Sequence, residues 1–251
     1  MRIDWSPVKA ELAMWRRENL CLPIWWRDDD AIADTPELQR LARHAQNIGL
    51  QVHIAVIPDL IEPSLPQVVE AMPQLVPVVH GWRHISHAPE GAKNAEFGRP
   101  REGAEGELRS GLRRLHTRFG ARLLPMFVPP WNRMDPTYFA ILADAGYCGV
   151  STYGPRESQK NEGLQRVNTH VDPIFWRGDR GLVPPETLVT ELAKTLCDRR
   201  EGRSDISEPL GLLTHHLVHT EDVWAFSADL ARLLLDGGAV PADLRAILGG
   251  A

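Results

Sequence analysis

Three consecutive carboxylates, Asp28, Asp29 and Asp30, follow the short apolar run Leu22-Pro23-Ile24 and the pair Trp25-Trp26. An ionised carboxylate buried without a partner is strongly unfavourable. The strand is therefore expected to end at the triplet, with the acids facing a cation, either a bound metal or the adjacent Arg27. Further along, His80-Gly81-Trp82-Arg83-His84 places two imidazoles four residues apart. A helical turn there puts both on one side, a common spacing for metal ligands. His87, three residues on, could substitute. Two histidines and one aspartate leave open positions for water or substrate, as a catalytic metal requires, and the same donor set suits iron oxygenases. A second, free aspartate could accept a proton from water, and His215 could protonate a leaving group. Base, metal and acid together describe metal-assisted hydrolysis.

Positioning these groups requires elements that end where the polar residues begin. Short unbroken apolar runs are expected as strands near residues 22–24, 51–58, 75–79, 123–128, 149–153, 167–171 and 211–213. Helical patterns with caps and breakers cover 6–19, 35–48, 66–72, 107–119, 136–145, 187–197, 223–235 and 241–248. Unbroken apolar strands are covered on both faces, as in a parallel sheet. Their alternation with helices suggests a barrel or a doubly wound sheet. The polar clusters at 28–30, 80–87, 129–133 and 215–219 all follow the carboxyl ends of strands, which in a parallel barrel share one rim. Residues 88–106 form a long polar connection, read as a lid or rim segment.

Composition narrows the class. A chain of 251 residues, 43% hydrophobic, can bury a sizeable core, and residues 1–251 read as a single domain. With a net charge of -5 and no basic block, nucleic acid is not an expected partner. No apolar run approaches the roughly eighteen residues of a membrane span, and the N-terminal residues lack a signal-peptide pattern. Cys21, Cys148 and Cys197 are scattered and odd in number. They are read as small buried residues in a reducing cytoplasm. Trp5, Trp15 and Trp25 read as core, and His44 and His116 as structural. Trp82, Trp131 and Trp176 suit either stacking on a sugar ring or plain packing.

The order and content of the polar segments resemble the polysaccharide deacetylase family, carbohydrate esterase family four, over about residues 20–220. The family's TFDDG motif is echoed by Trp26-Arg27-Asp28-Asp29-Asp30-Ala31, its H-x-x-x-H motif by His80 and His84, its R-x-P-x-G motif by Val128-Pro129-Pro130-Trp131-Asn132, and its final Leu and catalytic His by Leu213-Thr214-His215. The resemblance implies a distorted (β/α)7-type barrel of the α/β class and removal of an acetyl group from an N- or O-acetylated saccharide. It implies Asp29 as base, His215 as acid, and a divalent metal on Asp30, His80 and His84: zinc first, with cobalt, manganese or nickel as alternatives. Arg27, Trp82, Pro130, Trp131, Asn132, Arg133 and Trp176 are the expected substrate-binding set. The third motif lacks its arginine, so Arg27 or Arg133 is expected to orient the base, and Asp172-Pro173-Ile174-Phe175-Trp176 only loosely echoes the family's Asp–Trp motif. The other register of the triplet uses Asp28 and Asp29; His87 and His216 stand as alternatives for the histidine roles. The remaining functional readings are an amide hydrolase on a non-carbohydrate substrate and a non-catalytic sugar-binding relative. The oligomeric state is left open.

Overall fold

The computed structural model describes residues 3–249. Its strands are β1 (Pro23–Ala31), β2 (Val52–Val56), β3 (Leu75–His80), β4 (Met126–Val128), β5 (Gly149–Val150), β6 (Lys160–Asn161), β7 (Leu164–Arg166), β8 (Leu210–Thr214) and β9 (Val240–Pro241). The helices are α1 (Ser6–Arg17), α2 (Pro36–Ile48), α3 (Ser64–Ala71), α4 (Ala104–Phe119), α5 (Tyr138–Ala145), α6 (Pro185–Arg200), α7 (Glu221–Asp236) and α8 (Leu244–Ile247). Local signals set several boundaries. Thr35 caps α2 by accepting from the Leu38 amide, and Gly49 ends it at φ 79°, a conformation that glycine adopts without a Cβ clash.

The strands form one sheet in the order β6-β7-β5-β4-β3-β2-β1-β8, with β9 beside the start of β1. Every pairing is parallel except the β6–β7 hairpin. No continuous ladder closes the sheet. Instead, residues 167–171 span the gap by isolated bridges. Thr169 donates to the Thr152 carbonyl at 3.0 Å, His170 to that of Gly211 at 2.7 Å, and Val171 accepts from Leu213 at 2.8 Å. The result is a distorted α/β barrel with an irregular seam, as expected for the fold class.

Strand alternation sorts the side chains into two shells. Ile24 and Trp26 of β1, Val52, Ile54 and Val56 of β2, and Leu210 and Leu212 of β8 pack outward against the helices. Trp25, Ala55, Val76, Val78, Met126 and Val128 fill the interior. Leu244 and Leu248, in and just after α8, close the interior at the amino end of the strands. The carboxyl end is left open.

Three expectations are corrected. The strand expected at 167–171 lies earlier, as β7, and 167–171 itself makes only isolated bridges, because the seam there is too irregular for a ladder. β1 does not stop at the acids but runs through them to Ala31, because Asp28 and Asp29 both find buried partners described below. The cysteines are free, but Cys21 is exposed and the other two only half-buried. The polar connection 154–163 also holds the unexpected strand β6, and 88–106 lies mostly in turns until α4 begins at Ala104.

Gly211 sits where the seam is tightest. A Cβ there would lie 2.5 Å from Trp25 Nε1 and 2.7 Å from the Asn168 carbonyl oxygen, two atoms that bond each other at 3.1 Å. Gly211→Ala should therefore destabilise the protein by about 1–3 kcal/mol through overpacking, read as a lower urea midpoint. An unchanged midpoint would show that the seam yields freely.

Candidate active site

The interior shell turns polar at its carboxyl end. Following the parity of Trp25, the next inward residues of β1 are Arg27 and Asp29. The row Val76 and Val78 continues to His80, and the row Gly211 and Leu213 continues to His215. These rows open into a cavity of about 860 Å³ that Asp29, Asp30, His80, His84 and His215 line together. The expected convergence of four separate segments at one rim is present, since Trp131, Asn132 and Arg133 also face it.

The same parity separates the aspartates. Asp28 points outward with Trp26 and is fully buried. Its carboxylate accepts from Thr214 Oγ1 at 2.6 Å, the His216 amide at 3.0 Å and His216 Nδ1 at 2.5 Å. Burial alone would raise the Asp28 pKa, but His216 and its other neighbours lower it; for His216 burial opposes the charge and Asp28 raises the pKa. This pair ties the end of β1 to the turn after β8, away from the cavity. Asp30 would follow Asp28 outward, but the β1–β2 register slips between Asp28 and Ala31, and Asp30 takes φ 73°. Such a bulge re-aims a side chain, and Asp30 joins Asp29 in the cavity.

Asp29 is 3% exposed and held by Arg27, whose Nε lies 2.8 Å from Oδ1 and whose Nη2 donates to Oδ2 at 3.0 Å. Arg27, fully buried, also donates to Asn132 Oδ1 at 2.6 Å, Ser151 Oγ at 2.8 Å and the Thr152 carbonyl at 3.3 Å. Arg27 therefore grips the carboxylate from beneath rather than lining the cavity.

His80 Nδ1 lies 3.0 Å from the Val128 carbonyl, which makes it the donor. Its Nε2 lone pair then faces Asp30 Oδ1 at 3.1 Å, and His84 Nε2 approaches the same oxygen at 3.3 Å. Electron-rich atoms converge there, and only a cation or a proton between them makes the arrangement favourable. The three donor atoms lie within 4.8 Å of one another, and two ligands on a tetrahedral zinc are separated by roughly 3.4 Å. The residues fit a divalent metal. Burial opposes ionisation of Asp30, yet the bond from His80 and the nearby imidazoles lower its pKa far below the ordinary value. Burial depresses His80, but Asp29 and Asp30 outweigh it and raise its pKa; His84 is lowered by burial and by His80.

The turn carrying His84 is clamped from the long connection before α4. Buried Glu96 accepts from the Trp82 amide at 3.0 Å and the Arg83 amide at 2.7 Å. Gly81 has φ 56°, and a Cβ there would meet both Glu96 and Pro130. Asp30, His84, Trp131 and Asn132 are four of the seven non-glycine residues with positive φ among the described residues. Such conformations cost of order 1–3 kcal/mol each and collect at functional sites.

His215 Nε2 is 4.0 Å from Asp29 Oδ2. Its amide donates to His219 Nε2 at 3.2 Å, its Nδ1 is buried without a partner, and its ring meets Trp176 edge-on at 4.7 Å. Trp176 Nε1 in turn donates to Asp172 at 2.7 Å, a carboxyl whose pKa burial raises.

Several expected contacts are not made. Trp82 lies under Arg114 on the helix side, Pro130 is buried against Gly81, and neither lines the cavity. His87 is also outside it and bonds Ala95 through its amide. His216 serves Asp28. Tyr153, Phe175, Arg177 and Arg180 line the cavity without having been expected as site residues; the echo around Asp172 pointed to the segment of the last three, and nothing pointed to Tyr153, just after β5.

No protein-family model and no curated protein matches this sequence. Solved structures do. The Bc1960 peptidoglycan N-acetylglucosamine deacetylase, in complex with 4-naphthalen-1-yl-N-oxidanyl-benzamide, aligns over 91% of this chain and 89% of its own with a TM-score of 0.57 and 14% identity. A family 4 carbohydrate esterase from Streptomyces lividans, in complex with acetate, aligns over 88% and 91% with a TM-score of 0.52 and 14% identity. A family 4 acetyl xylan esterase from Clostridium thermocellum, which holds a cobalt ion, aligns over 90% of each chain with a TM-score of 0.51 and 12% identity. The fold is that of the family 4 carbohydrate esterases. Within this fold the chain carries on β1 itself both Asp29 and the arginine that holds it, Arg27.

The buried Arg27–Asp29 pair can be tested by removal. Arg27→Leu should cost about 3–5 kcal/mol of stability, because it strands a buried carboxylate, while Arg27→Leu with Asp29→Leu should recover most of the loss. Denaturant midpoints decide it; a double variant as unstable as the single one would assign the loss to Asn132 and Ser151 instead.

Proposed function

We propose that this protein is a metal-dependent hydrolase of the polysaccharide deacetylase family that removes an acetyl group from an N-acetylated saccharide. The observation that carries this reading is the cavity itself. Two histidine nitrogens converge on one Asp30 oxygen, and a clamped aspartate and a histidine face each other at 4.0 Å within the same space. A facing acid–base pair serves hydrolysis and has no evident use in oxygen chemistry. The likeness in fold to structures described as a family 4 carbohydrate esterase and a peptidoglycan N-acetylglucosamine deacetylase supports the same reading.

Asp30, His80 and His84 would hold the metal, with zinc favoured by the nitrogen and carboxylate donors. When bound, the metal polarises a carbonyl oxygen and lowers the pKa of water. The rest falls to the chain. Asp29 accepts the water proton on its carboxylate, and Arg27 fixes the direction from which it does so. His215 delivers a proton from Nε2 to the departing nitrogen, because an amide anion is a very poor leaving group. The Trp176 edge and the bond from the His215 amide to His219 fix the position of that ring. Trp131, packed on His84 at 4.3 Å, and Trp176 offer aromatic surface to a sugar ring.

We place the protein in a reducing compartment on the strength of three free cysteines, one of them exposed. Among the described residues no helix is long and apolar enough to cross a membrane.

Acetate release from N-acetylglucosamine oligosaccharides, with metal content measured in parallel, tests the roles. Asp29→Asn should keep metal and lose turnover by about 10²–10⁴-fold. His215→Ala should keep metal and lose at least about a hundredfold on amides, less on a matched ester. His80→Ala and Asp30→Asn should lose the metal. Asp28→Asn that keeps its metal but loses turnover, with Asp30→Asn active, would move the register one residue earlier.

Acidification provides an independent check. Metal must displace the proton from His80, whose pKa is raised. Metal affinity should therefore begin to fall at a pH above the ordinary histidine value of about 6.5 as acid is added. Affinity that stays level down to the ordinary carboxylate range would remove His80 from the ligand set.

A further inference from the structure

The charges of the cavity are unevenly partnered. Each lining carboxylate is committed: Asp29 to Arg27, Asp30 to the two histidines, Asp172 to Trp176 Nε1 and the Ile174 amide. The arginines are not. Arg133 gives Nη1 to the Asn94 carbonyl, but the guanidinium groups of Arg177 and Arg180 make no hydrogen bond or ion pair with any described residue. Elsewhere on the surface Arg40, Arg109, Arg200 and Arg203 sit against carboxylates, while Arg43, Arg99 and Arg118 are as unpaired as the two cavity arginines. What sets Arg177 and Arg180 apart is that both line the same cavity. Asp179, between the two cavity arginines, turns its carboxylate to the Gly181 amide instead.

The segment that presents Arg177 and Arg180 is an ordered turn. Ile174 and Leu182 form an antiparallel bridge. The Phe175 amide donates to Gly181 at 2.8 Å, and the Phe175 carbonyl accepts from Gly178 and Arg180. Arg180 takes φ 60° to complete it. The same turn carries Trp176, whose ring packs on His215. The two cations are thus held in a defined relation to the proposed proton donor. Two guanidinium groups line one cavity with no carboxylate of the described residues bonded to either, and a neutral saccharide would leave them so. A planar guanidinium matches phosphate or carboxylate with paired N–H donors.

We propose that Arg177 and Arg180 form an anion subsite, and that the substrate is an acetylated saccharide bearing a phosphate or carboxylate on the sugar next to, or the same as, the one deacetylated. This rests on the deacetylase reading above.

The test uses the zinc-loaded protein and three trisaccharides of N-acetylglucosamine that differ on one sugar: unmodified, 6-phosphorylated, or O-carboxymethylated. For at least one anionic substrate, kcat/KM should exceed that of the neutral one by about tenfold or more, chiefly through KM, and the ratio should shrink as salt rises. The better of the two anions identifies the group. Arg177→Gln with Arg180→Gln should bring the ratio to within about threefold of one, and the corresponding double change to Lys should retain part of it. Equal kcat/KM for all three substrates, or a ratio that survives the double Gln change, overturns the subsite. If none of the three releases acetate, calorimetric binding decides. Tighter anionic binding that the double Gln variant loses upholds the subsite and rejects deacetylation, and equal binding of all three rejects the subsite.

Discussion

A guanidinium buried to zero exposure must satisfy its donors inside the protein, and the upper barrel is arranged around that demand. Arg27 reaches from β1 to Asp29 on its own strand, to Asn132 after β4, and to Ser151 and Thr152 after β5. Its side chain joins the ends of three strands at the floor of the cavity. The pair with Asp29 is tolerable in a low-dielectric interior because nearly every donor is directed to an oxygen. Removing either member would strand the other. The constraint keeps Asp29 in a fixed orientation before any substrate arrives, which is what a proton acceptor in a water-activating site requires.

The second buried pair, Asp28 with His216, has the opposite parity and a different consequence. It fastens β1 to the segment following β8 from the outer shell, so that Asp29 and His215, each next in sequence, are held 4.0 Å apart on the inner shell. One peptide step separates a carboxylate buried in the outer shell from one that lines the cavity. The strain at Asp30, His84, Trp131 and Asn132 is stored in the same region, and it is maintained by clamps from below and behind: Arg27 on Asn132, Glu96 on the turn before His84.

Much of the site was legible in the sequence because polar residues after apolar strands have few places to go in a parallel sheet. Asp30, His80 and His84 meet as the spacing suggested, although His84 arrives through a left-handed turn rather than a helical one. β1 runs past its expected end because the rule that charges leave a sheet assumes no partner inside it: Asp28 finds Thr214 and His216, far away in the chain, and Asp29 is held by Arg27 within the strand itself. Trp82, expected as an aromatic that could stack on a sugar, and Pro130, expected from its motif, do not line the cavity: Trp82 lies under Arg114 and Pro130 packs against Gly81. The turn bearing Arg177 and Arg180 had no periodic signal. Its two-residue pairings, like those of β5 and β6, are too short to give one.

The proposed chemistry depends on which atoms hold a metal. Diffraction from crystals soaked in zinc, collected at the zinc absorption edge, reads this directly. The structure predicts one strong anomalous peak about 2.0–2.2 Å from His80 Nε2, His84 Nε2 and an Asp30 oxygen, with Asp29 still bound to Arg27 and not ligating. A peak between Asp28 and Asp29, a peak on His215 or His216, or no peak in the cavity at saturating zinc would contradict it.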